Sequence, residues 1–245
     1  MKKWILKPGS HLDEILEWLD DRVLFAYEEE GLIQVFVKDD DLEHPAIDSV
    51  EDYVLPAIDW EQDWANHVVL KNGFLEVPAG EKVIKMLPGP GFGNLSHPTT
   101  CLMLEHMKDL CFEKTVFDIG TGSGILALAA KAMGANQVFA VDIDEEAIQH
   151  AVQNAQLNEL EILFDKPVRS DITLLNMIFS EQKEALKSHP FREGRLLSSG
   201  ILKEEEFDYL TFARAQGWTH EKTFESQGWL AFLFRAESSI WKQDA

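Results

Sequence analysis

The sequence predicts an α/β domain on a doubly wound parallel sheet, preceded by a small α+β unit. Three observations carry the prediction. Residues 115–141 read strand, glycine-rich turn, helix, strand. A second helix then opens at Asp144, and a βαβα run at this spacing forms a right-handed unit with parallel strands. The acidity is also uneven: residues 1–66 hold 18 acidic and 5 basic side chains, and residues 67–245 carry a net charge of only −8. A composition step of that kind separates two units.

The elements follow in order. Trp4-Ile5-Leu6 is a short strand. Ser10, with Asp13 three residues on, opens a helix whose Leu12, Ile15, Leu16 and Leu19 form one apolar stripe. Val23 to Tyr27 and Leu32 to Val37 are strands of a hairpin joined by Glu28-Glu29-Glu30-Gly31. Lys38 to Glu51, acidic and holding Pro45, is expected as a loop. Trp60 and Trp64 share one face of a short helix, and Asn66 to Val77 supplies a strand pair turning at Asn72-Gly73. Leu102 to Leu110 is helical. Thr115 to Ile119 is a buried strand, Gly120 to Gly124 a turn, and Ile125 to Met133 a helix stopped at Gly134. Gln137 to Val141 is the second strand. The helix from Asp144 carries Glu145 and Glu146 in its first turn, where its dipole favours acids. Ala147, Ile148, Ala151, Val152 and Ala155 form its inner face. Asp171 to Met177 is a strand, Phe179 to Leu186 a helix, Gly194 to Ser199 a strand and Phe207 to Ala215 a helix. Thr219 to Phe224 and Gly228 to Phe234 close the sheet. The domains expected are 1–54, a small acidic unit; 55–90, a connector; and 91–245, the main domain.

Composition excludes several classes. The 245 residues are 45% hydrophobic and 27% charged, which rules out disordered and fibrous chains. No apolar run approaches the ~20 residues of a membrane span. The basic start, Met1 to Pro8, lacks the apolar core of a signal peptide, so no membrane association is expected. Cys101 and Cys111 make no disulfide framework, and no paired Cys/His spacing suggests zinc. A reducing, cytoplasmic setting without a metal site is expected. The net charge of −21 opposes direct binding of nucleic acid, whose phosphates it repels. It suits a basic protein partner, or solubility alone.

The strongest chemical signal is Asp118-Ile119-Gly120-Thr121-Gly122-Ser123-Gly124. Glycines let the chain pass tightly from strand to helix and clear side chains from the path of a ligand. The turn falls at the carboxyl end of a parallel strand, where open α/β sheets bind ligands. A dinucleotide site spaces its glycines Gly-x-Gly-x-x-Gly so that the helix start meets a pyrophosphate. Here Gly120, Gly122 and Gly124 are closer, and Asp118 repels a pyrophosphate but suits a cation. S-adenosylmethionine has no phosphate and carries an ammonium and a sulfonium. Asp142 ends the next strand, placed for ribose hydroxyls, and Ile143 beside it for a purine face. A dinucleotide-dependent oxidoreductase and a turn that holds no ligand are the competing readings.

Two more constellations bear on the site. Pro90 to Thr100, with its glycines and prolines, is a loop that can fold over a ligand, bringing Phe92 to the donor. Thr99 and Thr100 lie at the start of the next helix, where a hydroxyl either caps the helix or meets the ligand. His97 is a loop residue or a base. Asn176 follows a buried apolar strand and must find partners or face a cleft. Its side-chain oxygen accepts from a substrate amine, or closes a turn.

These residues resemble the methyltransferases of large-subunit ribosomal protein eleven. The resemblance rests on Gly91-Phe92-Gly93 with His97-Pro98-Thr99-Thr100, on Asp118 to Ala127, and on Ala140 to Asp144 with Ala147, Asn154 and Asn158. Asn176-Met177-Ile178 is similar to the family's Asn-Ile-Leu motif, Ser199-Gly200-Ile201-Leu202 to its Ser-Gly-Ile-Leu, and Asp59-Trp60 with Trp64 to its connector. It implies a class I, Rossmann-like methyltransferase fold of seven strands with an antiparallel last strand, and a separate substrate-recruiting N-terminal domain. It implies that Thr100, Gly120, Asp142 and Asn176 bind S-adenosylmethionine, and that the substrate is the amino groups, lysine side chains and α-amine, of one basic ribosomal protein. Asn94-Leu95 stands where the family has Thr-Gly. The stretch from Asn158 to Asn176 is short, leaving Asp165 to serve at the adenine. A small-molecule methyltransferase and a catalytically silent binding protein on the same fold are the alternatives.

Overall fold

A computed structural model describes residues 2–19, 22–29, 32–37, 44–52 and 59–236. The chain divides into two compact units between Ile58 and Asp59. The first unit contains β1 (Lys2–Leu6), α1 (Leu12–Leu19), β2 (Val23–Glu29), β3 (Leu32–Val37) and β4 (Ile47–Asp52), its antiparallel sheet ordered β2-β3-β1-β4. The apolar stripe of α1 does the packing: Ile15 and Leu19 bury with Trp4, Leu6, Ile33, Val35 and Val37. Ile47–Asp52 corrects the expected loop. It is an edge strand on β1, with Trp4 opposite Val50. Its acids disguise it in sequence, and charges are a common way to blunt a sheet edge. The rest of that loop, 38–43, the hairpin turn at Glu30-Gly31 and the expected boundary at 54 lie outside the described residues.

The second unit starts with α2 (Trp60–Ala65) and the hairpin β5 (Leu75–Ala79) and β6 (Lys82–Met86). Of residues 55–90, expected as a connector, 59–90 belong to the larger unit. The hairpin turns at Gly80-Glu81; Asn72-Gly73 makes only a small turn closed by a Lys71–Phe74 bridge. Alternation decides between the two turns: the observed register buries Leu75, Val77, Ala79, Ile84 and Met86 on one face.

The chain continues through α3 (Pro98–Cys111), β7 (Thr115–Ile119), α4 (Ile125–Ala132), β8 (Gln137–Val141), α5 (Glu145–Leu157), β9 (Ile172–Asn176), α6 (Phe179–Ser188), β10 (Arg195–Leu202), α7 (Glu206–Ala215), β11 (Trp218–Ser226) and β12 (Trp229–Ala236). The sheet order is β11-β12-β10-β9-β7-β8, parallel from β8 to β10, with β12 antiparallel to both its neighbours. Residues of α3, α4 and α5 share the core on one face, and those of α6 and α7 the core on the other. This sheet has six strands among the described residues, not seven. The segment between α5 and β9 is long enough only for Leu163 to bridge Phe139, with 2.9 Å hydrogen bonds to Val138 and Ala140.

Candidate active site

Three strand ends meet at the carboxyl edge of the sheet. After β7, Gly120 and Gly122 take φ of +72° and +55°, in the left-handed region. A β-carbon on Gly120 would strike Met177 Cε, and one on Gly122 the Phe92 carbonyl. The bare main chain of this turn is therefore a requirement of its packing. Gly120 and Thr121 donate their N–H groups to the Val141 carbonyl at 2.9 and 3.0 Å, locking the turn to the end of β8. The next residue, Asp142, accepts from Gly122 N at 2.9 Å through Oδ2 and from Asp144 N at 3.0 Å through Oδ1. Its carboxylate is half-buried and held in one orientation, with lone pairs left for further donors. Ile143 is fully exposed beside it, with 106% of its surface open.

Asp118 does not stand where the sequence reading puts it. It is buried beneath the turn, 1% exposed, facing α4. Its Oδ2 accepts from Thr121 Oγ1 at 2.7 Å and from Ala127 N at 3.2 Å; Oδ1 has no partner among the described residues. Burial pushes its carboxyl up to about 7, against those two bonds and with help from the nearby Asp142 charge. It braces the turn against the first turn of α4 instead of presenting its charge to a ligand.

The segment between β6 and α3 crosses the turn backbone to backbone. Phe92 O accepts from Ser123 N at 2.7 Å, and Gly93 O from Ser123 Oγ at 2.5 Å. One face of α5 holds this segment, through three polar side chains spaced by four. Asn158 accepts from Lys85 N at 2.7 Å and donates to Lys85 O at 2.6 Å. Asn154 accepts from Leu87 N at 2.7 Å and donates to Ser123 O at 2.9 Å. His150 completes the row. In sequence Asn154 and Asn158 enter only as part of the family resemblance and His150 not at all; the i, i+4, i+8 spacing along an otherwise alanine-rich inner face is the signal that links them.

The cap of α3 is His97, not Thr99 or Thr100. Its Nδ1 lies 2.8 Å from Thr99 Oγ1 and accepts weakly from Thr99 N at 3.4 Å, and Pro98 follows at the first helical position. Burial holds its pKa below the usual histidine value. Its ring lies edge-on to Phe92 and to Trp229, at 5.6 and 4.9 Å between centroids. Phe92 itself is 56% exposed.

Thr100 is buried in the first turn of α3, and Asn176 Nδ2 reaches its Oγ1 at 3.5 Å. Asn176 ends β9 with 8% of its surface exposed, and its Oδ1 has no partner among the described residues. The backbone around it is braced from below. Gln182 donates to Met177 O and Ser199 O at 2.8 and 2.9 Å, and the Tyr209 hydroxyl bridges Gln182 and Ser198. A β-carbon on Gly200 would strike the Met177 carbonyl, so the end of β10 can lie this close to β9 only as glycine. Gly120, Gly122, Asp142, Ile143, Phe92, Thr100 and Asn176 thus gather at one sheet edge. Asp165 is exposed, two residues past the Leu163 bridge, its carboxylate accepting from Lys166 N. A cavity of 890 Å³ is lined chiefly by residues 166–170 and 189–194, which lead into β9 and β10, and extends along β7 past Phe117 to Ile119. Open α/β sheets bind at the opposite, carboxyl ends.

A parallel sheet with one reversed strand set inside its edge, and a glycine turn after its first parallel strand, is the class I methyltransferase fold. Comparison with known proteins narrows the class. The chain belongs to the family described as Ribosomal protein L11 methyltransferase (PrmA), whose model matches residues 57–237. Ribosomal protein L11 methyltransferase of Streptococcus mutans is 31% identical over 207 residues, covering 74% of this chain and 65% of that protein. That of Ruminiclostridium cellulolyticum is 28% identical, covering 98% of this chain and 88% of the relative. The crystal structure of ribosomal protein L11 methylase from Lactobacillus delbrueckii subsp. bulgaricus superposes with a TM-score of 0.57 at 28% identity. It covers 64% of this chain and 87% of that one. The chain spans 65% or less of the length of several of these curated relatives, the Geobacter sulfurreducens protein at 56% among them.

Proposed function

We propose that the chain is an S-adenosylmethionine-dependent N-methyltransferase that modifies amino groups of ribosomal protein L11, lysine side chains and the α-amine. The observation that carries this is Asn176 Oδ1, a nearly buried acceptor without a partner among the described residues, at the strand end beside the glycine turn. A buried amide oxygen left unpaired is costly, and an incoming N–H satisfies it.

The residues present fit the donor. Gly120 and Gly122 present bare main chain, Asp142 offers fixed carboxylate oxygens for ribose hydroxyls, and Ile143 offers an uncovered apolar side chain for the purine. S-adenosylmethionine, when bound, supplies an electrophilic methyl group. The chain's own task is to deliver a neutral amine in line with it. At its reference pKa of ~10.4, only about one lysine in a thousand is neutral at pH 7.4. Asp118 is sealed under the turn and His97 is engaged in capping α3, so neither is the base. Asn176 accepts one N–H of the amine and fixes the direction of the nitrogen lone pair. The aromatic row Phe92, His97 and Trp229 offers apolar surface, and an amine covered against it is desolvated, which favours its neutral form. Orientation supplies the rate.

The acidic first unit fits a recruiting role for a basic ribosomal protein. Asp13, Glu14 and Glu17 stand exposed on α1 and steer opposite charge. No direct contact with nucleic acid is needed. No helix among the described residues is long and apolar enough to cross a membrane, and the thiols Cys101 and Cys111 are free, which suits a reducing cytoplasm.

Labelled donor, incubated with the chain and undermethylated ribosomes, is expected to label L11 alone. Label on no polypeptide refutes the proposal. One observation favours a second reading, donor binding without transfer. Asn94 Oδ1 accepts from both Ser96 N and Ser96 Oγ, at 2.9 and 2.5 Å, and stiffens the loop before His97. Saturable donor binding with no labelled product selects that reading.

A further inference from the structure

His150 lies on α5, outside the glycine turn, Asp142 and Asn176, and none of the chemistry above uses it. It is 2% exposed. Its Nδ1 accepts from Gly91 N at 3.1 Å, and its Nε2 faces the Leu87 carbonyl at 2.8 Å. One ring nitrogen meets an N–H and the other a carbonyl, so the ring is neutral, with its proton on Nε2. Burial favours the same neutral form. Gly89 passes over the ring so closely that a β-carbon there would sit 2.6 Å from Nε2, and Trp64 lies edge-on at 6.0 Å.

The two bonds are not equivalent. Leu87 is held twice, since Asn154 also takes its N–H. Gly91 is held by His150 through its N–H, and Gly91 is the residue pressed against the turn. A β-carbon on it would lie 2.5 Å from the Gly122 carbonyl carbon. The next residue, Phe92, receives the Ser123 N–H on its carbonyl.

We infer that His150 is a positioning residue of the donor site: it pins the Leu87–Gly91 segment so that the Phe92 carbonyl closes on the glycine turn and fixes its shape. The inference rests on the donor function proposed above. His150 touches neither donor nor substrate; it acts through Gly91 and Phe92.

Calorimetric titration with S-adenosylmethionine separates the two bonds, using full-length wild type and His150→Asn, His150→Gln and His150→Ala. Asparagine keeps an acceptor where Nδ1 stands, and glutamine a donor where Nε2 stands. His150→Asn is expected to bind the donor within about threefold of wild type. His150→Gln and His150→Ala are expected to lose about tenfold, the worth of one buried hydrogen bond. Thermal midpoints recorded in parallel guard against a purely structural effect, and if His150→Ala fails to fold, the other two variants decide. Equal donor affinity in His150→Asn and His150→Gln, or affinity that merely follows the midpoint across the series, overturns the inference. A wild type that binds no donor overturns the proposed donor site itself, and that result is read before any variant.

Discussion

Asp118 makes the most calculable prediction. Its carboxyl is pushed from 3.8 in the unfolded chain to about 7 in the folded protein, chiefly by burial. The folded state therefore holds a proton that the unfolded chain has lost across this window, and stability falls as pH rises through it. Over the part accessible to measurement, pH 5 to 8, the loss is about 2.5 kcal/mol, an upper value for one site. Asp118→Asn removes the titration. Its amide keeps one acceptor for Thr121 or Ala127 and adds a buried N–H in place of Oδ1, whose cost of about 1–3 kcal/mol does not change with pH. The slope is thus diagnostic and the offset is not. Urea unfolding of both proteins at intervals from pH 5 to 8 should show the variant gaining on wild type with rising pH and levelling above pH 8. Parallel curves would mean that Asp118 is ionised in the folded protein at pH 5, and the buried-strut account of it would fail.

Asn176→Ala should lower kcat about 100-fold while leaving donor affinity within about threefold, because it removes orientation of the amine. A change confined to the donor's dissociation constant would move Asn176 out of that role. Asp142→Ala should weaken donor binding about 100-fold by calorimetry, through loss of two charge-assisted contacts and release of Gly122 N; unchanged affinity would remove Asp142 from the ribose. Reversing Asp13, Glu14 and Glu17 to lysine should flatten the salt dependence of KM for L11 and leave kcat alone. If the salt dependence is unmoved, α1 does not steer.

The main domain was legible because its signals agree. From Thr115 to Leu157 the strand runs, the glycine turn, Gly134 with φ +96° and the Asp144 cap all point the same way. Where signals compete, reading from residues alone went astray. Two turn sequences, Asn72-Gly73 and Gly80-Glu81, vie for one hairpin, and only burial of Val77 and Ile84 chooses between them. β4 is short, acidic and at an edge, so pairing with β1 decides it and pattern does not. The site shows the same division. That Gly120, Gly122, Asp142 and Asn176 lie at the carboxyl edge of the sheet is legible because each ends or follows a strand. The burial of Asp118 is not, since the sequence does not tell that its side chain turns under the glycine turn toward α4. The spacing of His150, Asn154 and Asn158 marks a polar row on α5 but not what it holds, because the partners of His150, Leu87 and Gly91, lie about 60 positions away.

A crystal grown with S-adenosylhomocysteine tests the central claim most directly. The nucleoside should lie along Gly120 and Gly122, with both ribose hydroxyls on the Asp142 carboxylate and the amino-acid end toward Asn176. Density for the compound among residues 166–170 and 189–194 of the 890 Å³ cavity instead, or none at the carboxyl edge under saturating conditions, would contradict it.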